Sequence, residues 1–295
     1  MSKYFKWVLF SLVVLLILFV IGEAFFRYLY PLISPFDDRM AVRYATPYTM
    51  FSTFDYGEKE KPKAKGELRI VMLGGSTVAY GKPPLPVLVE QELKRRGVEG
   101  VHVFNYGIIS QNSSQELAHL VFHVLDFEPD IVVMYDGGND IMDPLLYDPR
   151  PGFPFNFLAY ENNVLFKDVK EYPTLSLLAY GSDMLRHLFR NYFFEKFGRF
   201  SELRVEAGYG TCLWSEKIAE IYANNLMKAG RICKAYDVEY VAFFQPIFFF
   251  KHTAVSEIEK NMLKKWPEKE KDLVRPYTND VRRRILLNIK EEQKT

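Results

Sequence analysis

Cysteine is nearly missing from this chain: 295 residues contain only Cys212 and Cys233. They show no metal-ligand spacing, and a structural zinc site takes about four ligands. A disulfide between them would need an oxidising compartment. Excess charge of either sign is missing too. The 38 Lys and Arg nearly balance the 37 Asp and Glu, leaving +1, so nothing in the bulk electrostatics points to nucleic acid. Internal repeats and low-complexity tracts are absent. No Gly-x-Gly-x-x-Gly follows a strand pattern, which argues against a dinucleotide site. The stretch Gly75 to Lys82 superficially suggests a phosphate-binding loop, but Ser76 stands where its first glycine belongs and Pro83 follows the lysine. No cofactor is expected. Histidine is scarce, and none follows His252.

What is present reads as globular. Hydrophobic residues make up 48% and charged residues 25%, and the length allows one sizeable core or two small ones. Aromatic content is high at 16%, with 25 Phe and 19 Tyr. That fits core and membrane-proximal packing, or an apolar substrate cleft.

Residues Trp7 to Ile21 form an apolar run broken only by Ser11, and it resumes at Ala24, Phe25 and Phe26 after Gly22 and Glu23. Spanning a bilayer takes about 20 residues, so Trp7 to Phe26 suffices with Glu23 at the far interface. Lys3 and Lys6 mark a cytoplasmic flank, although Arg27, Arg39 and Arg43 on the other side make the bias shallow. A cleaved leader would need Gly22-Glu23-Ala24 as its site, a poor match to the small-residue pattern. The expectation is a transmembrane anchor over residues 1–28 whose partner is the lipid bilayer, with the following domain extracytoplasmic. Residues 29–66 read as a linker interrupted by Pro31, Pro35 and Pro47.

From residue 67 to residue 295 strand and helix alternate. Strands are expected at Leu68 to Leu73, Val101 to Asn105, Ile131 to Tyr135 and Tyr240 to Gln245. Helices are expected at Pro86 to Arg96 and Trp214 to Tyr236, with another opened by a Ser113/Glu116 capping box and running to about Leu125. Two more are expected near Ser256 to Lys265 and Val281 to Ile289. The alternation implies an α/β fold, a parallel sheet with helices on both faces. An aromatic excursion at about 144–210, helical around Ser176 to Phe194, interrupts it after the third strand, where lids and binding walls are commonly built.

Ligands of open parallel sheets bind outside the carboxyl ends of the strands. Three such ends here are rich in glycine and polar residues: Gly74-Gly75-Ser76-Thr77, Asn105-Tyr106-Gly107, and Asp136-Gly137-Gly138-Asn139-Asp140. A hydrolase needs a nucleophile and donors aimed at a developing oxyanion. The Ser76 hydroxyl at a turn leading into a helix, the amides of Ser76 and Gly107, and the Asn139 side chain supply that set.

With these blocks in order the chain resembles the SGNH family, the GDSL-like esterases and acyl hydrolases, in its membrane-anchored bacterial branch. The resemblance runs from about Leu68 to Pro246. It implies a flavodoxin-like three-layer parallel sheet of strand order 2-1-3-4-5, Ser76 as nucleophile, Gly107 and Asn139 completing the oxyanion hole, and an acyl-ester substrate. The chain departs from the pattern in three ways. Gly75 replaces the Asp that precedes the serine, Ser110 lies where a second glycine often follows the glycine block, and neither a fifth strand nor an Asp-x-x-His block follows the fourth strand. His252 lies at the right edge as a substitute base, but Phe249 occupies the position of its Asp. His119 and His123 are four apart, a spacing that can bind zinc, yet they read as a solvated helix face, and His102 and His187 as structural. The expectation is a serine esterase by lineage, inactive or strongly impaired as this polypeptide and C-terminally incomplete. The alternative is a non-catalytic membrane-anchored binding module or a truncated gene product.

Overall fold

The computed structural model describes residues 3–33, 49, 62–158, 181–188, 200–247, 256–257, 260–261 and 268–292. In chain order the main elements are α1 (Lys3–Ala24), β1 (Leu68–Gly74), α2 (Ser76–Ala79), α3 (Leu85–Arg95), β2 (Val101–Gly107), α4 (Ser113–His119), β3 (Ile131–Asp136), α5 (Gly138–Leu146), α6 (Asp183–Leu188), α7 (Phe200–Ala207), α8 (Cys212–Ala235), β4 (Glu239–Phe244) and α9 (Glu268–Glu292). They belong to two compact units, one of residues 1–43 with 158–201, the other of residues 44–157 with 202–295.

In the first unit α1 continues through a wider π turn at Phe25–Leu29 into Tyr30–Ile33. Tyr4–Leu29 is long and apolar enough to cross a membrane, with a mean hydropathy of 2.8. Its leucines, valines and phenylalanines up to Phe25 are exposed, as a lipid-facing helix requires. Near its end α1 meets α6. Glu23 accepts hydrogen bonds from the Ser182 hydroxyl (2.8 Å) and from the amides of Asp183 (2.9 Å) and Met184 (3.0 Å), so it caps α6 from another helix. Arg27 pairs with both Glu23 (2.9 Å) and Asp183 (3.2 Å). His187 stacks on Phe26 at 4.7 Å.

The second unit is built on a parallel sheet of order β2-β1-β3-β4, the first four positions of the expected 2-1-3-4-5. Its strands are short apolar runs, and alternate residues of β1 feed opposite faces. Val71 and Leu73 join Tyr106, Val132, Met134 and the apolar stripes of α4, α8 and α9 in the larger core. Ile70 and Met72 join Val101, Val103 and the α3 residues Leu85, Val89 and Leu93 in the smaller one. Helices therefore cover both faces of the sheet, although α3 lies over the β1–β2 side only. No fifth strand joins β4 among the described residues.

Several local expectations need correction. The capping box of α4 is Asn112 with Gln115, one residue earlier than expected; the Ser113 hydroxyl is committed to Asp140 instead. The face carrying His119 is not solvated. His119 and Glu116 are fully buried, with the His119 ring 5.5 Å from Tyr106. Cys212 and Cys233 are free thiols on the same helix, one exposed and one buried. The C-terminal helix is far longer than Val281 to Ile289, running from Glu268 through Pro276 to Glu292. Most of the expected helices at Ser176 to Phe194 and Ser256 to Lys265, and most of the linker, lie outside the described residues.

Candidate active site

Gly75 follows β1 in an extended conformation and serves as the N-cap of α2. The amides of Val78 and Ala79 both bond to its carbonyl at 3.1 Å, and Tyr80 bonds back to Ser76 at 3.0 Å. This leaves the Ser76 and Thr77 amides at the open end of the turn, with the Ser76 side chain exposed. Gly107 ends β2 against the same turn. A Cβ there would overlap the Ala79 amide nitrogen and lie 2.9 Å from the Ala79 Cα and the Val78 carbonyl carbon, so only glycine lets the strand pass this close. Asn105 fastens the contact, donating to the Ala79 carbonyl at 3.2 Å and accepting from the Gly107 amide at 3.0 Å. The Gly107 amide is thus already engaged; it can serve a substrate only after Asn105 lets go.

The third strand end begins at Gly137, whose φ of +98° glycine tolerates without strain. Asn139 follows in the first turn of α5. Its amide donates to the Gln111 carbonyl at 2.7 Å and lies so close to Gly75 that a Cβ on Gly75 would overlap Nδ2. An amide nitrogen has two protons, so one donor remains after the Gln111 bond. Ser76, Gly107 and Asn139 are therefore gathered around the Gly75–Ala79 turn.

Two residues without an assigned role in the sequence reading belong here. Gln245, just past β4, donates from Nε2 to the Thr77 hydroxyl at 2.6 Å and from its backbone to the Asp136 carbonyl at 2.6 Å. It bridges the ends of β4, β3 and the serine turn. A polar residue between a strand and a proline was the available signal. Asp140 accepts from both the amide (3.1 Å) and the hydroxyl of Ser113, tying α5 to α4 directly behind Asn139.

Behind these contacts lie buried carboxyls. Burial, then the neighbouring Asp136 charge, pushes Asp140 up to about 7. Glu116 is raised well above the ordinary range by burial and by the neighbouring Asp136. Asp136, also raised by burial, accepts the Tyr222 hydroxyl at 2.6 Å. Among the described residues no cluster of three or more His, Cys, Asp or Glu has metal-binding geometry.

No described histidine serves Ser76. His102 is exposed near the start of β2, His119 is buried against Tyr106 with the His123 ring 5.5 Å from it, and His187 packs on Phe26 and Tyr30. His252 lies outside the described residues. The open pocket of about 390 Å³ between Leu145, Tyr209, Trp214 and Tyr277 contains none of the strand-end residues.

The fold and strand ends define a class, an open parallel α/β sheet with glycine and polar side chains gathered at its carboxyl edge. Among solved structures the chain is similar to esterases and acylhydrolases of the SGNH and GDSL-like kind. AlinE4, an SGNH-hydrolase family esterase, is 16% identical, with 68% of this chain and 93% of that one covered at a TM-score of 0.26. The lipase/acylhydrolase from Enterococcus faecalis is 16% identical, with 73% and 94% covered at 0.26. A GDSL-like lipase from Bacteroides thetaiotaomicron is 16% identical, with 84% and 99% covered at 0.23. At these identities and scores the likeness says nothing about activity. No family model and no curated protein matches the sequence.

Proposed function

We propose that this chain is a membrane-anchored member of the SGNH serine-hydrolase lineage whose strand-end site receives an acyl ester but turns it over poorly. The observation that carries this reading is the packing of Gly107 and Asn139 against the turn that exposes Ser76. In it Ser76 is the nucleophile, and the Ser76 amide, the Asn139 amide and, once released from Asn105, the Gly107 amide receive the oxyanion. A serine hydroxyl is a weak nucleophile without an adjacent base, and no described histidine bonds to Ser76. A general base contributes about 10²–10⁴-fold, so turnover falls short of an intact triad by at least that order. The engaged Gly107 amide favours the second reading, a site that binds esters without cleaving them. Hydrolysis of short-chain aryl esters by the full chain, compared with Ser76→Ala and His252→Ala, separates the two: Ser76-dependent turnover lost in His252→Ala would make His252 the base.

The N-terminal helix is proposed to remain attached, with the hydrolase-like unit extracytoplasmic. Glu23 supports retention, because cleavage after Ala24 would detach the acceptor that caps α6. N-terminal sequencing of the membrane fraction tests retention. Protease digestion of the domain in intact spheroplasts tests orientation.

A further inference from the structure

The β4 edge of the sheet carries unspent bonding capacity. Glu239 and Gln245 donate their backbone amides toward β3, and parity along the strand turns Val241 the same way. Tyr240 and Ala242 therefore direct amide and carbonyl groups away from the sheet, where no strand pairs with them among the described residues. The side chains on one face are equally uncovered. Val241 is 40% and Phe243 52% exposed, beside half-buried Val133 and Tyr135 of β3. Edge strands are usually blunted by lysine, proline or a bulge. The segment Glu239 to Phe244 has none of these: EYVAFF is regular, and its only charge is Glu239 at one end.

We propose that this edge is the interface with a second copy of the chain, joined by antiparallel pairing of the two β4 strands about Ala242. The strand is complementary to itself in that register. Ala242 lies opposite the partner's Ala242 as a hydrogen-bonded pair, each giving and receiving one backbone bond. Val241 lies opposite the partner's Phe243, and Phe243 opposite the partner's Val241, so the exposed side chains form aromatic–β-branched pairs on one face. Tyr240 faces the partner's Phe244. Glu239 falls opposite the uncharged Gln245, never opposite the second Glu239, so no like charges meet. The two sheets continue into one, and the exposed apolar face becomes an internal seam.

Cross-linking of the full-length chain in detergent micelles, in a Cys212→Ser background, tests the register. Val241 and the partner's Phe243 form a non-hydrogen-bonded pair with Cα atoms about 4.5 Å apart, inside the range of about 4.4–6.8 Å that a disulfide spans. An equal mixture of Val241→Cys and Phe243→Cys chains should therefore form a disulfide-linked dimer about tenfold faster than either variant alone. Phe243→Lys, at a solvent-exposed side chain, should run as a monomer that still unfolds cooperatively, whereas the parent runs as a dimer whose unfolding temperature rises with protein concentration. A parent that stays monomeric at high concentration overturns the proposal. So does a mixture that cross-links no faster than its components, or a cysteine at 241 shielded by residues of its own chain.

Discussion

The Asn139 side-chain amide lies directly over the Cα of Gly75, at the place a methyl group would need. Glycine before the serine therefore leaves room for that amide to reach the Gln111 carbonyl. Gly75→Ala should destabilise the fold by about 1–3 kcal/mol, as overpacking does, by pushing Asn139 off the Gln111 carbonyl. The loss should shrink when Asn139→Gly is introduced beside it. Denaturant midpoints of the single and double variants check this; equal losses in both backgrounds would place the strain elsewhere.

The buried carboxyls give stability an unusual pH dependence. Asp140 titrates at about 7 in the folded chain against an ordinary 3.8, and Glu116, Asp136 and Asp143 are shifted upward as well. The folded state holds these protons more tightly than the unfolded chain. Their contribution is fully present below the ordinary carboxyl range and is lost as pH rises toward about 7. Glu67, Glu90, Glu92 and Asp280 are shifted downward, and their opposite effect acts at more acid pH. The denaturant midpoint should thus be higher at pH 5 than at pH 8, and Asp140→Asn should flatten the slope. A midpoint that climbs between those values would contradict the assignment.

How much of this was legible in the sequence depended on range. The strands could be read because each is a short apolar run closed by glycine or a polar residue, and the three strand-end blocks stand at the expected edge. The α4 cap was misread by one residue because Asn112 and Ser113 are both good capping residues; the choice is settled by Asp140, a partner far along the chain. The burial of Glu116 and His119 was invisible for the same reason. Polar residues on a helix read as solvated until Asp136 and Tyr106 are brought to them by the sheet. Pro276 concealed the first half of α9, although Val274, Tyr277, Val281 and Ile285 continue one helical stripe across it.

Glu23 acts on a helix distant in sequence, so its removal should be felt there. Glu23→Ala should expose the Asp183 and Met184 amides to faster hydrogen exchange, at a cost of about 0.5–2 kcal/mol, typical of a lost N-cap. Glu23→Gln, which keeps one acceptor oxygen, should lose less. Exchange measured on the full-length chain in detergent checks both, and unchanged protection in Glu23→Ala would show that α6 is held by other contacts.

The central claim of the proposal is that Ser76 is the nucleophile of an oxyanion site in which no described histidine acts as its base. Imidazole rescue tests it most directly: hydrolysis of a short-chain ester by the full chain and by Ser76→Ala, each with and without added imidazole. The account predicts that without imidazole the two proteins are nearly indistinguishable. Added imidazole should then raise turnover by the full chain above Ser76→Ala by about tenfold or more, as an external base supplies part of the missing 10²–10⁴. Rapid imidazole-independent hydrolysis that disappears in Ser76→Ala would contradict the missing base, and imidazole-dependent rates identical in both proteins would contradict the nucleophile.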